Sequence, residues 1–178
     1  MQITFHFNQQ RCISCYTCVV ACKDWYDIPA GPRTRRWVTN LEEGRFPEVT
    51  VSHLSLSCLH CENPTCMGAC PTGAIRKRES DGIVYTDKEL CLTNCMLCKE
   101  ACPYDAPRFA EGGDSGIELC DFCKDRIDGG KKPICVEACP TRALDSGSRE
   151  EMEAKYGRKR DAKGFSYAEK NRPSIIFR

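Results

Sequence analysis

Sixteen cysteines among 178 residues fall into four groups of four, and none is left over. Cys12, Cys15, Cys18 and Cys22 are spaced C-x2-C-x2-C-x3-C, and Cys58, Cys61, Cys66 and Cys70 are spaced C-x2-C-x4-C-x3-C. Cys91, Cys95, Cys98 and Cys102 follow C-x3-C-x2-C-x3-C, and Cys120, Cys123, Cys135 and Cys139 follow C-x2-C-x11-C-x3-C. This density means either a disulfide scaffold or metal ligation. Disulfides need an oxidising compartment, usually reached through a secretory leader. The opening MQITFHFNQQRC has no basic, apolar and small-residue succession of that kind. Arg35 and Arg36 form a twin-arginine pair, too deep in the chain to act as an export signal. Metal ligation is therefore the expectation. The expected location is cytoplasmic, with export alongside a signal-bearing partner left open.

The spacing suits one cofactor. A cubane cluster takes one thiolate at each iron, and a tight C-x2-C-x2-C loop wraps three of its corners. The same turns aim backbone N–H groups at the sulfurs and spread their charge. The fourth corner needs a ligand from elsewhere, which in two-cluster ferredoxins is the other motif's last cysteine. The cysteine after each x3 spacer is expected to begin a helix pointing away from its own cluster. Pro71, Pro103 and Pro140 directly follow Cys70, Cys102 and Cys139, as in the bacterial C-x2-C-x2-C-x3-C-P run, whereas Cys22 precedes Lys23. The reading is four [4Fe–4S] clusters on sixteen cysteines. Zinc in one quartet is the alternative, although the paired histidines of a zinc finger are missing. The third quartet opens with x3 in place of x2, so its spacing fixes the cluster type least.

Repeats organise the rest: CPTGAI (70–75), CPYDAP (102–107) and CPTRAL (139–144) follow the fourth cysteines. Ile3 to Phe7 alternates as an opening strand, Gly82 to Thr86 reads as another, and Val19 to Trp25 reads as a short helix carrying Cys22. A short segment should end at Glu137 to Cys139, and a helix should lie near Glu150 to Tyr156. Residues 26–50 and 103–119, rich in Pro and Gly (Gly112 and Gly113 among them), read as loop, and Asp128-Gly129-Gly130 reads as a turn. The tail ends in the apolar stretch Pro173 to Phe177, which either packs back on the body or meets a partner. Clusters would take the place of much of the core. No stretch reaches membrane-spanning length, no basic block suggests nucleic acid, and no phosphate loop, dinucleotide fingerprint or catalytic triad marks a substrate site.

LSLSCLHCENPTC (54–66), CPTGAIRKRESDG (70–82), ACPYDAP (101–107) and CDFCKDRIDGGKKPICVEACPTRALD (120–145), in this order, closely resemble the four-cluster subunit of the dimethylsulfoxide reductase family. The resemblance covers most of residues 3–145. It implies an α+β fold of two ferredoxin-like dicluster units with long loop insertions, in a four-cluster domain over 1–145; the tail over 146–178, outside the resemblance, is expected to dock on a partner. It also implies that quartets pair first with fourth and second with third. Cys12, Cys15 and Cys18 would then share a cluster with Cys139, and Cys120, Cys123 and Cys135 with Cys22. Cys58, Cys61 and Cys66 would join Cys102, and Cys91, Cys95 and Cys98 would join Cys70. The implied role is non-catalytic: electron transfer to or from a large molybdenum- or tungsten-pterin catalytic subunit, with a further donor or acceptor protein as a second partner. The alternatives are a small subunit of a tungsten enzyme of the aldehyde oxidoreductase or benzoyl-CoA reductase type, and a free-standing polyferredoxin.

Each oxidised cluster with four thiolates carries about −2, so four would carry the chain from +1 to about −7. Lys23, Lys99 and Lys124 lie beside ligand cysteines and read as solvated rather than tuning charges. His6, His53 and His60 read as structural, with the His60 backbone amide aimed at sulfur. Trp25, Trp37 and Tyr104 read as packing.

Overall fold

Ile3–Phe7 forms the first strand, β1, but its alternation does not leave a wet face: all five residues are buried. The computed structural model describes residues 1–109 and 116–178. After β1 come a 3-10 turn over Gln9–Arg11 and α1 (Thr17–Trp25). A long hairpin follows, β2 (Arg36–Arg45) and β3 (Glu48–Ser57). Then come α2 (Thr65–Gly68), β4 (Ile75–Lys77), β5 (Val84–Thr86), a 3-10 turn over Lys88–Leu90 and α3 (Leu97–Glu100). Short strands β6 (Arg108–Phe109) and β7 (Ile117–Glu118) precede α4 (Lys124–Asp128) and α5 (Ile134–Glu137). The last elements are β8 (Leu144–Ser148), α6 (Arg149–Tyr156) and β9 (Ile175–Phe177). The fold is α+β, with short helices and small sheets.

β1 is the centre of the main sheet, antiparallel to β8 and parallel to β9. Its Ile3, Phe5 and Phe7 face points inward. Alternation sends Thr4 and His6 to the other face. There α6 covers them, with Met152 fully buried and Tyr156 stacked on His6 at 3.6 Å. Ser148 starts that helix by accepting the Glu151 N–H at 3.1 Å, a cap worth about 1 kcal/mol. The expected boundary at residue 145 thus falls inside β8, and the tail's end completes the first strand's sheet. Ile175, Ile176 and Phe177 are all buried, each contributing about 1.5–3 kcal/mol. Of the two readings for Pro173 to Phe177, packing on the body holds.

The region 26–50 departs from expectation. It supplies β2, which pairs residue for residue with β3 from Arg36↔Ser57 to Arg45↔Glu48. Gly44 and Pro47, read as breakers, sit only at the hairpin's tip. A Cβ on Gly44 would meet the Glu48 carbonyl oxygen at 2.1 Å. The arms beside it, Val38-Thr39 and Val49-Thr50-Val51, are good strand formers. In 103–119, Gly112 and Gly113 lie outside the described residues, and the flanks pair as β6 and β7.

The core is also more conventional than expected. Phe5 stacks on Phe122 at 4.1 Å, and His60 meets Phe122 edge-on at 5.1 Å. These three join the first strand, the second quartet and the fourth. Ile75, Ile83, Val84, Leu54 and Leu59 extend the same apolar mass, and cysteines line it. Short elements hide this continuity from any periodicity. A buried ion network adds a second tie: Glu118 accepts from Arg35 at 2.8 Å and from Lys88 at 2.6 Å. Burial pushes the Glu118 carboxyl up, but Lys88 and Arg35 outweigh it and hold it below its usual range.

Burial pulls the His6 imidazole down to about 4. Asp145 opposes this, while Arg178, Lys155 and Arg11 reinforce it. The unfolded imidazole takes up a proton near pH 6.5 and the folded one only near pH 4, so stability falls as pH drops through that window. Between pH 6.5 and 5.5 the loss is about 1 kcal/mol. His6→Phe should keep the stack on Tyr156 and flatten this slope in anaerobic denaturant unfolding. An identical slope in the variant would show that the imidazole is not the titrating group.

Candidate metal centres

Each quartet bends the chain in the same way. The residue before the second cysteine is left-handed in all four: Ser14 (φ 55°), His60 (φ 43°), Asn94 (φ 58°) and Phe122 (φ 58°). For residues other than Gly this conformation costs about 1–2 kcal/mol, so something must offset it. The bend aims amides at sulfur: the N–H of Ser14 serves the Cys12 thiol and that of His60 the Cys58 thiol. The expected role of the His60 amide is met. The extra residue of the third quartet leaves Asn94 in the same place and conformation.

A second bend follows three of the fourth cysteines, at Gly73 (φ 66°), Asp105 (φ 50°) and Arg142 (φ 53°). It turns the next amide back: Ala106 N–H donates to Cys102 Sγ at 3.5 Å and Ala143 N–H to Cys139 Sγ at 3.3 Å. Thr72 and Thr141 hydroxyls lie 3.7 Å from Cys70 and Cys139 sulfurs. Burial pushes both thiols up, yet these donors outweigh it and both end below the ordinary cysteine value. This is what the CPTGAI, CPYDAP and CPTRAL repeats do. The helix expectation needs correcting. The third cysteine, at Cys66, Cys98 and Cys135, lies in a short helix, and the fourth lies beyond its end. Pro after the fourth cysteine disfavours helical backbone there. Only Cys22, with no such Pro, stays inside a helix.

Three cavities gather the thiols across quartets. Cys12, Cys15 and Cys18 line one with Cys139. Cys58, Cys61 and Cys66 line one with Cys102. Cys91, Cys95 and Cys98 line one with Cys70. The fourth set shows in electrostatics: burial pushes the Cys22 thiol far up, and Cys120, Cys135 and Cys123 beside it push it further. Burial likewise raises Cys61, Cys66, Cys98 and Cys120 to about 12. Neighbouring sets lie within electrostatic reach in turn: Cys18 acts on Cys135, Cys120 on Cys58 and Cys66 on Cys98. This gives an order from the Cys12 set through the Cys22 and Cys58 sets to the Cys91 set.

The donors fit a multi-iron group. All are sulfur, they surround a cavity, and N–H groups reach the sulfurs. A single zinc would draw four sulfurs to within about 2.3 Å of one point. Among the described residues no group of three Cys, His, Asp or Glu converges in that way. None of the sixteen cysteines is in a disulfide.

The other singled-out residues fall outside the sets. Lys23 holds the carbonyls of Pro29 and Gly31 at 3.1 and 2.7 Å, Lys124 meets Asp125, and Lys99 lies 3.8 Å from Asp105. His53 hydrogen-bonds Asn40 on the hairpin. Trp25 and Trp37 lie under Arg126 and Arg108, and Tyr104 stacks on Phe165. Sequence reasoning missed Tyr26, whose hydroxyl serves Asp121 and Cys123. It also missed Arg36, seen there only as half of a pair.

Fold and cavities together define a multi-cluster iron–sulfur protein of the ferredoxin kind. A 4Fe-4S dicluster domain family matches residues 49–149. The B subunit of the anaerobic dimethyl sulfoxide reductase of Escherichia coli (strain K12) is 40% identical over 185 residues, covering 99% of this protein and 88% of that one. Its counterpart in Haemophilus influenzae is 39% identical over 164 residues, 88% of this protein and 78% of that one. Protein NrfC of Escherichia coli (strain K12) is 37% identical over 142 residues, 79% of this protein and 63% of that one. The chain belongs to the dimethyl sulfoxide reductase family of iron–sulfur electron-transfer subunits. It carries four [4Fe–4S] clusters and relays electrons to a catalytic subunit.

Arg142 offers a check on the second bend. Arg142→Gly should be tolerated, whereas Arg142→Ile, β-branched at positive φ, should destabilise by about 1–3 kcal/mol. Denaturant unfolding of both variants reads the difference; equal stabilities would mean that the bend is not held in the folded protein.

Proposed function

We propose that each convergent set holds one cluster, so that the first and fourth quartets exchange their last cysteines, as do the second and third. The observation that carries this reading is the lining of the three cavities, each with three thiols from one quartet and one from another. The two exchanging pairs make two ferredoxin-like units. One is built on β1, β8, α1 and α5, the other on β4, β5, α2 and α3. Bound there, each cluster takes up and releases one electron at a time. The chain's own residues hold the thiolates, direct amides at them and keep water away. The linear order of the sets makes them a wire.

The partner is a large molybdenum- or tungsten-pterin subunit that does the chemistry, and this chain is non-catalytic and cytoplasmic. Support comes from the 40% identity over nearly the whole length to a reductase's B subunit. Exposed apolar side chains also crowd both ends of the wire: Ile13, Tyr16 and Val20 beside the Cys12 set, and Leu92, Met96 and Leu97 beside the Cys91 cysteines. Such patches suit docking better than free diffusion. Among the described residues no helix is long and apolar enough to cross a membrane.

Anaerobically prepared protein should contain about sixteen irons and sixteen acid-labile sulfides, from four cubanes. About twelve irons with stoichiometric zinc would remove one cluster from the reading. In redox-titrated electron paramagnetic resonance, Cys139→Ser should disturb the same signal as Cys18→Ser, and Cys22→Ser the same as Cys123→Ser. Grouping of Cys139→Ser with Cys123→Ser would mean that each quartet closes on itself. Natively expressed chain should co-elute with a large subunit containing molybdenum or tungsten; elution alone would favour a free carrier.

A further inference from the structure

Arg36 opens β2 and Arg35 lies in the bend just before it, and the two side chains find different partners. Both are buried. Arg35 finds carboxylates, Glu118 at 2.8 Å and Asp121 at 3.3 Å. Arg36 finds none. Its Nη1 donates to Ser55 Oγ at 3.2 Å, its Nη2 donates to Ser57 Oγ at 2.9 Å, and its guanidinium lies 4.8 Å over the Phe5 ring. These partners are neutral. With 2% of its surface exposed, Arg36 is the largest fully buried side chain among the described residues. A guanidinium this deep is untenable without a nearby negative charge.

Thiols of two sets supply that charge. Cys135, Cys120 and Cys22 belong to one set, and Cys18 belongs to the next. The contact with Cys18 has a bridge, since Ser55 Oγ lies 3.5 Å from Cys18 Sγ. One hydroxyl thus accepts from Arg36 and can donate to a thiolate. The guanidinium also opposes the upward push that burial gives the Cys135 thiol.

We propose that Arg36 is a counter-ion shared by the Cys12 and Cys22 sites, and that it raises the reduction potential of both clusters relative to the other two. The inference rests on the ligand sets proposed above. Adding an electron makes a site more negative, so a fixed cation favours the reduced form more than the oxidised form. Arginine suits the role because it keeps its charge when buried. Ser55 carries part of the effect to Cys18.

The test is a redox titration, followed by electron paramagnetic resonance, of the full chain prepared anaerobically with its clusters. Cys18→Ser, Cys139→Ser, Cys22→Ser and Cys123→Ser assign the signals. Disagreement within either pair would sink the ligand sets, separately from what Arg36 does. Arg36→Met should move the Cys12 and Cys22 signals to lower potential and leave the other two in place. Arg36→Gln, which keeps hydrogen bonding without the charge, should do the same, and it carries the test should Arg36→Met fail to assemble. Arg36→Lys should recover most of the shift. Ser55→Ala should lower the Cys12 signal alone. Wild-type potentials in the charge-removing variants, or an equal shift of all four signals, would overturn the proposal.

Discussion

A thiolate on an iron–sulfur cluster puts negative charge where water has little access, and the backbone must supply the donors that water would have supplied. Much of the local structure follows from that demand. The left-handed residues Ser14 and His60 turn their amides inward onto Cys12 and Cys58, and Asn94 and Phe122 repeat the same bend. The second bends at Gly73, Asp105 and Arg142 likewise bring N–H groups onto Cys70, Cys102 and Cys139. The helices ahead of the three Cys-Pro pairs stay at four residues because the prolines stop them. The fourth thiol is then released past the helix end, free to enter a neighbouring cavity.

The cysteine pattern is readable because its spacing is dictated by cofactor geometry and hardly by context. The same holds for β1 and α1, whose limits in the sequence nearly match those in the structure. Exchange of cysteines between quartets is not readable from spacing, since no local rule says which cavity Cys139 enters; only the family resemblance suggests it. The long hairpin is hidden for a different reason. Gly44 and Pro47 are true breakers, but their reach is the turn alone, and the flanking Val and Thr residues outweigh them. The apolar core is hidden because Phe5, His60 and Phe122 come from three distant segments and meet only in space.

Charge is distributed unevenly around the sets. Lysines beside ligand cysteines in sequence turn outward to carbonyls or carboxylates. A buried cation that acts on four of the thiols, Arg36, comes from the start of the hairpin, outside every quartet. Arg35 and Arg36 divide two tasks between neighbours. The first ties the hairpin to Glu118 and Asp121, and the second goes inward to the Ser55 and Ser57 hydroxyls, with no carboxylate among the described residues to meet it. Sequence proximity to a ligand is a poor guide to electrostatic influence when the ligand loops are this tight.

The proposed cysteine exchange is nested: the second and third quartets lie wholly between the first and the fourth. Closing the outer loop, Cys18 to Cys139, costs only about 1 kcal/mol more chain entropy than closing the inner one, Cys66 to Cys102. Timing separates them more sharply than energy does. A chain emerging from the ribosome has every thiol of the inner pair by residue 102, while Cys12, Cys15 and Cys18 wait for residue 139. β1 waits longer still, for β8 on one edge and β9, ending at Phe177, on the other. On this pairing the thiols of the first quartet are made before those of the other three yet are among the last enclosed, and their loop stands open to oxygen and stray metal until residue 139 is made.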